Sequence, residues 1–210
     1  MSLRRTKTAL PVLLACLVCT SAQAFVVAIS SSPRSMFLRV GDGGAGTFES
    51  NNGRPGESAV VNRVSADVPA ALLASGTGLL PMVTDATQLT SSYEGYAFCN
   101  ENQIYVGGFV RGGQSDGVLR VDAPAGLINT SSGDTIPFSR ISWTASGNGD
   151  GDSAQPIPSG VFDAVDGPQT LATFARNTFR ESCHSFSLAI ADVVPAGRYE
   201  GRVTYTLSAP

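Results

Sequence analysis

A serine flanked by glycines is the first group in this chain that could do chemistry. Residues 113–117 are Gly-Gln-Ser-Asp-Gly, the G-x-S-x-G spacing that presents a serine nucleophile at a sharp strand-to-helix turn. That chemistry also needs a helix after the serine and a histidine base. Residues 118–121 (Val-Leu-Arg-Val) have strand composition, and the only histidine, His184, lies in a predicted strand. The pattern therefore favours a hairpin turn, and a serine hydrolase using Ser115 is the alternative.

Oxygen-bearing side chains alternate with glycine in residues 148–153, which are Asn-Gly-Asp-Gly-Asp-Ser. Asn148, Asp150 and Asp152 stand two residues apart, as the first ligands of a calcium loop do. Such a loop also needs a glycine at its sixth position and a glutamate at its twelfth, and serines occupy both positions here. The stretch is either a solvated loop or a calcium site completed by an aspartate at position 163 or 166. No phosphate-binding or dinucleotide motif is present, so we expect no cofactor.

Two cysteines remain once the N-terminal segment is set aside. Cys16 and Cys19 lie in that segment, which leaves Cys99 and Cys183. Two cysteines in an exported chain usually form a disulfide, which here would contribute on the order of 4 kcal/mol through loop closure. The alternative is a reactive thiol or a metal site with the adjacent His184, although two cysteines and one histidine without close spacing make a poor zinc site.

The N-terminal segment has the three parts of a secretory signal peptide. Residues 1–7 are basic, residues 9–18 are apolar, and residues 21–24 (Ser-Ala-Gln-Ala) end in small residues. We predict cleavage after Ala24 and a mature domain at residues 25–210, located in the periplasm, at the cell surface or outside the cell. Twin-arginine export through Arg4 and Arg5, or lipidation at Cys16, are the alternatives.

The composition of the mature chain excludes several partners. Removal of residues 1–24 takes away three basic residues and no acidic one, so the net charge changes from −3 to −6. The only lysine, Lys7, is lost with them. An acidic chain without lysine gives no electrostatic reason to bind nucleic acid. The mature chain contains no apolar run long enough for a transmembrane segment.

The rest of the chain has the pattern of an all-β protein. Gly, Ser, Thr and Pro are abundant, and short period-two stretches recur between turns. About nine to eleven strands are predicted, which favours one two-sheet, Ig-like β-sandwich domain. Residues 96–99 and 103–110 are expected to form a hairpin, and a change of parity in residues 135–144 predicts a bulge near residues 139–140.

The closing stretch, residues 199–207, has the clearest strand pattern. Tyr199, Tyr205 and the residues of their parity are predicted to face the core. Tyr199 follows a Pro-Ala-Gly turn and fits a tyrosine corner, in which the hydroxyl bonds back to nearby backbone, or an ordinary core position. Trp143 is assigned to the core, with a ligand platform as the alternative.

Three stretches resemble exported proteins of Gram-negative bacteria: residues 103–109, 135–144 and 195–207. The closing strand is also similar to that of fimbrial and spore-coat-U-like subunits. That resemblance implies an Ig-like sandwich assembled by strand exchange, with other fimbrial-type subunits or a periplasmic chaperone as partners. Residues 25–29 (Phe-Val-Val-Ala-Ile) depart from the family because they do not alternate as a donated arm would.

Two further hypotheses of function follow from these patterns. The first is a non-enzymatic surface or fimbria-associated subunit that acts by pairing a strand at an open sheet edge. The second is a monomeric, adhesin-like module that binds a ligand through its loops.

Overall fold

The computed structural model describes residues 26–32, 34–46, 58, 60–148, 154–163 and 167–209. The predicted signal peptide, Cys16 and Phe25 lie outside these residues. Everything below concerns the described part of the chain.

Strands make up nearly all of the regular structure, so the all-β class predicted from the sequence is confirmed. The sixteen strands, in chain order, are β1 (Val26–Ala28), β2 (Ser35–Val40), β3 (Gly43–Gly46), β4 (Val64–Ser65), β5 (Gly78–Pro81), β6 (Val83–Thr84), β7 (Ile104–Arg111), β8 (Gly117–Ala123), β9 (Gly126–Asn129), β10 (Thr135–Pro137), β11 (Ile141–Ser146), β12 (Gly160–Val161), β13 (Gly167–Phe174), β14 (Thr178–Ile190), β15 (Tyr199–Glu200) and β16 (Thr204–Ser208). One short helix, α1 (Ala70–Ser75), ends at Gly76, whose φ of 63° suits the left-handed cap position.

A large antiparallel sheet organises the molecule, with the strand order β12-β11-β14-β7-β2-β3. Its central strand, β14, is 13 residues long and pairs with four other strands. β7 and β1 flank its first residues, and β11 and β5 flank its last ones. β1 is therefore paired within its own chain.

A small antiparallel sheet, β13-β8-β16, packs on one face of the large sheet. β13 lies against β14, and β16 lies against β2. The apolar side chains of alternate residues on both sheets meet between them, as the period of two requires. The core between the sheets includes Ile104, Val106, Val110, Leu119, Val121, Trp143, Phe174, Phe186, Leu188 and Leu207.

Two further sheets complete the structure. β10-β9-β15 forms one, and β4-β6 forms a two-stranded ribbon. Residues 79–83 are divided between β5 and β6. Met82 lies between them and donates its backbone N–H to Phe186 O at 2.9 Å.

An irregular segment, residues 85–102, covers part of the other face of the large sheet. Seven of the eight residues of β7 are buried, because β7 has the core on one face and this segment on the other. Phe98 and Cys99 pack on Tyr105 and Cys183 there. The predicted strand at residues 96–99 is therefore wrong, and only an isolated bridge between Thr90 and Ala97 forms.

Two stretches predicted as continuous strands each divide between sheets. Residues 135–144 form β10, then a single 3-10 turn at Phe138–Arg140, then β11. The change of parity near residues 139–140 thus marks this turn and not a bulge. Residues 199–207 likewise form β15, which pairs with β9, and then β16, which pairs with β8.

Candidate functional site

The most distinctive surface is the open edge of β16. β16 pairs with β8 in an unbroken register from Thr204–Asp122 to Ser208–Val118. Among the described residues, no strand pairs with its other edge. An edge of this kind presents backbone N–H and C=O groups that can bond to another chain.

The opposite edge of the same sheet is protected and makes a useful contrast. β13 loses register with β8 between Thr170 and Ala172, and it carries Pro168 near its start. Bulges and prolines are common devices that prevent edge strands from pairing. β16 reads Thr-Tyr-Thr-Leu-Ser, with no proline, no charge and no break in register.

Close packing places β16 on the core. Leu207 is buried, and a Cβ at Gly117 would lie 2.5 Å from Val110 Cγ2 and 3.2 Å from Leu207 Cδ1. The glycine therefore lets β8 and β16 approach the large sheet. Burial raises the pKa of the Tyr205 hydroxyl well above its usual range. On the outer face, Arg120 donates to Ser208 Oγ at 3.2 Å.

Beside this edge, part of the apolar core is incompletely covered. Met36, Leu38 and Val40 of β2 point towards the core, but each is only partly buried. β2 continues the large sheet into β3, on the side away from β7. We define the pairing site as the free edge of β16 together with these three side chains of β2.

The predicted hydrolase residues are not brought together. Ser115 lies in the loop between β7 and β8, and a strand follows it where that mechanism needs a helix. Val110, near this loop, pairs with Thr178, whereas His184 is six residues further along β14. That displacement is roughly 20 Å along a strand.

His184 is fully buried in the core. Its ring lies 6.0 Å from Trp143 and 6.3 Å from Phe186, measured between ring centroids. Neither ring nitrogen has a hydrogen-bond partner in the described structure. Burial lowers the pKa of His184 to about 4, against a small opposing effect of the Ile157 backbone. The side chain is therefore neutral at physiological pH.

The calcium hypothesis falls mostly outside the described residues, since Asp150, Asp152 and Asp166 are not among them. The backbone N–H of Asn148 donates to Phe98 O at 3.0 Å, and that of Asp163 donates to Gln169 Oε1 at 3.2 Å. Within the described ranges, no group of three or more His, Cys, Asp or Glu side chains could hold a metal.

Trp143 and Tyr199 both make contacts within the fold that are typical of structural residues. Trp143 is 5% exposed, donates through Nε1 to Pro158 O at 2.8 Å and packs against Phe162. These contacts fit the core assignment. Tyr199 Oη donates to Pro195 O at 2.9 Å, which is the back-bond of a tyrosine corner.

Cys99 and Cys183 form a disulfide bond, with Cα atoms 5.5 Å apart. The bond connects residues 85–102, which we call the covering segment, to the middle of β14. It agrees with the pairing expected in the sequence.

A buried hydrogen-bonded group also connects the covering segment to β14, and sequence reasoning missed it. Glu181 is 1% exposed and accepts hydrogen bonds from Tyr105 Oη at 2.5 Å and Ser91 Oγ at 2.8 Å. Burial raises the pKa of Glu181, and these hydrogen bonds oppose the shift. A Cβ at Gly107 would collide with the Tyr105 hydroxyl, so the glycine makes room for it. The one hint in the sequence is an acidic residue within an otherwise strand-forming stretch.

No aromatic binding platform is formed by the described residues. Tyr93 is the exposed aromatic side chain, at 41%, and it stacks on Phe179 with ring centroids 5.2 Å apart. The remaining exposed large apolar residues are aliphatic and are spread over several elements.

Comparison with protein-family models, with curated proteins and with solved structures gives no match for this chain. In the described part of the chain, no helix has the length and apolar character needed to cross a bilayer.

Proposed function

We propose that this chain is an exported, non-enzymatic β-sandwich of Ig-like type that serves as a structural subunit at the cell surface. It acts by accepting a strand from a partner at the pairing site. The observation that carries the proposal is the edge of β16, which is uncharged, unbroken in register and unpaired by any described strand, beside the partly covered residues of β2.

Three features support this function over a monomeric binding module. The edge combines unpaired backbone groups with apolar surface, which is the combination that strand addition uses. The disulfide and the buried Glu181 connect neighbouring elements of the large sheet by covalent and polar bonds, which would help a structural subunit resist unfolding. The described surface also offers no aromatic platform of the kind that would favour ligand binding.

The test uses a charge placed on either edge of the small sheet. Thr206 and Thr170 are both exposed, and both pair with Arg120, from opposite sides of β8. The two threonines therefore lie in the same cross-strand row, Thr206 on the free edge of the sheet and Thr170 on the protected edge. Thr206→Lys adds the charge at the free edge, and Thr170→Lys is the matched control on the protected edge.

The protein is released gently from the cells that produce it, and the mass of the assemblies that contain it is measured by light scattering. We expect wild type and Thr170→Lys in assemblies much larger than the 21.7 kDa chain, and Thr206→Lys as a monomer. A wild-type protein that is monomeric in its native compartment would overturn the proposal.

A further inference from the structure

A segment that is attached by few contacts covers the only histidine of the chain. We infer that residues 154–162, which we call the strap, are an acid-sensitive cover: protonation of His184 releases the strap and exposes the aromatic side chains beneath it. The strap is not part of the pairing site, so this inference does not depend on the proposed function.

His184 lies among aromatic rings on the core face of β14. Its ring stacks on that of Trp143 with 24° between the ring planes, and it meets the ring of Phe186 edge-on. The side chain is fully buried, and neither ring nitrogen has a hydrogen-bond partner in the described structure. Ile157 of the strap is also fully buried, packs in the same apolar cluster as Trp143 and Phe186, and brings its backbone near the imidazole. Since the two residues after Ile157 are exposed, the strap separates His184 from the solvent.

No charged side chain close to His184 would balance a proton on its ring within the described structure. β11 and the strap contain no acidic or basic residue. On β14 itself, Glu181 faces the opposite side of the sheet. Arg180, on the same face as His184, is four residues or about 13 Å away along the strand.

The neighbouring strands of both sheets add no charge next to His184. The ionisable side chains of β2, β7 and β8 alternate with core-facing residues and point away from the core: Arg39, Tyr105, Arg111, Arg120 and Asp122. Tyr205 of β16 faces the core, but burial raises the pKa of its hydroxyl, so it is uncharged. An imidazolium at this position would therefore lack both a counter-ion and water while the strap is closed.

The strap is held less firmly than the strand that carries His184. Of its nine residues, only Ile157 and Phe162 are buried. β12, within the strap, pairs with β11 through only two residues. Further hydrogen bonds join the strap to β11 and β14, from Ile157 N to Ser182 Oγ at 3.3 Å, from Trp143 Nε1 to Pro158 O at 2.8 Å, from Ala145 N to Ser159 Oγ at 2.8 Å and from Phe162 N to Ile141 O at 3.2 Å.

β14, in contrast, pairs with four strands and carries the disulfide. Segments with few buried contacts open before the rest of a fold does. Water therefore reaches His184 by movement of the strap and not of β14.

Protonation favours the open form because the two forms hold the proton with different affinity. Burial lowers the pKa of His184 to about 4 while the strap is closed, against a small opposing effect of the Ile157 backbone. In the open form the ring is hydrated, and its pKa returns to about 6.5. Opening therefore becomes more frequent as the pH falls from 6.5 to about 4. These two pKa values correspond to about 20-fold more opening at pH 5 than at pH 7.

Hydrogen exchange at pH 7 and pH 5, corrected for the intrinsic exchange rate, measures opening of the strap. We expect the amides of Ile157 and Phe162 to lose about 20-fold in protection at pH 5, whereas those of residues 104–111 in β7 keep theirs. His184→Leu should remove this pH dependence. Glu181→Gln, which replaces the other buried ionisable residue of β14, is the matched control and should retain it.

Fluorescence gives an independent measure of the surface beneath the strap, because Trp143 is the only tryptophan. We expect quenching by acrylamide to increase between pH 7 and pH 5 in wild type and in Glu181→Gln, but not in His184→Leu.

An NMR titration of the single histidine tests the closed form in wild type and needs no variant. We expect a pKa near 4 for His184 in the folded protein. A pKa near 6.5 there, a pH dependence that persists in His184→Leu, or an equal loss of protection in the strap and in β7 would overturn the inference.

Discussion

The Tyr105 hydroxyl donates a hydrogen bond of 2.5 Å to Glu181 Oε2, and both side chains are buried. The other carboxylate oxygen accepts a bond from Ser91. One acid thus connects β7, β14 and the covering segment, two residues from the disulfide at Cys183. The outer face of the large sheet is closed by polar and covalent ties as well as by apolar packing.

Glu181→Ala should destabilise the protein strongly. It leaves the hydroxyls of Tyr105 and Ser91 buried without an acceptor, and each such group costs about 1–3 kcal/mol. We expect the free energy of unfolding in urea to fall by about 3 kcal/mol, and by less for Glu181→Gln, whose amide oxygen still accepts. Glu101→Ala, at an exposed position, is the control. A loss no larger than that of the control would show that Glu181 does not hold the covering segment.

The stability of the protein should depend on His184 in mild acid. Burial lowers the pKa of His184 in the folded state to about 4 from an ordinary 6.5. The unfolded chain therefore binds a proton first as the pH falls below 6.5, and stability decreases until about pH 4, by on the order of 3 kcal/mol in total.

The free energy of unfolding in urea is measured for wild type and for His184→Leu from pH 7 to pH 4, and the difference between the two proteins is followed as the pH changes. His184 is the only histidine, so the difference isolates one group. Glu181 acts in the opposite direction, because its raised pKa makes its contribution decrease as the pH rises, and it is common to both proteins. A constant difference across this range would contradict the prediction.

Reduction of the Cys99–Cys183 disulfide should lower stability by about 4 kcal/mol in the loop-closure estimate. The bond closes a separation of 84 residues, so its loss releases a large unfolded-state constraint. Urea unfolding of wild type with and without reductant, beside a Cys99→Ser/Cys183→Ser double variant, measures the effect. A mass increase of two hydrogens on reduction verifies that the bond was present. If reductant changes the free energy of unfolding of wild type and of the double variant by the same amount, the prediction is wrong.

Gly201→Ala should destabilise the point at which the chain passes between sheets. A Cβ there would lie 2.7 Å from Phe138 Cε2 and 3.0 Å from Leu127 Cδ2. Overpacking of this kind typically costs about 1–3 kcal/mol. Gly113→Ala is the matched control, since its Cβ would have no neighbour closer than 4.0 Å. Equal midpoints of thermal unfolding for the two variants would show that the crossing tolerates a side chain.

The crossing at Gly201 also explains where sequence reasoning succeeded and failed. The predicted parity holds, because Val203, Tyr205 and Leu207 are the more buried residues of the closing stretch. The prediction of one strand fails, because Gly201 packs on Phe138 and separates β15 from β16. Period-two alternation records which side of the chain is buried, but not which neighbouring strand accepts its hydrogen bonds.

The candidate site was similarly only half predictable. The hypothesis of strand pairing at an open sheet edge did not specify which strand has that edge, and within the described structure β16 is a strand with one unpaired edge. Nothing in the sequence indicates that β2 lies against it, because β2 is more than 150 residues away along the chain. Long-range strand pairing is set by the packing of whole sheets.

The amino-acid sequence by itself determined the all-β class, the cysteine pair and the inward parity of the closing residues, because these depend on composition and local period. Only the tertiary structure decided that β16 is the edge left open, that Glu181 is buried with Tyr105 and Ser91, and that Ser115 and His184 are far apart. Each of these relationships joins residues distant in the chain, and only the packing of the sheets brings such residues together or keeps them apart.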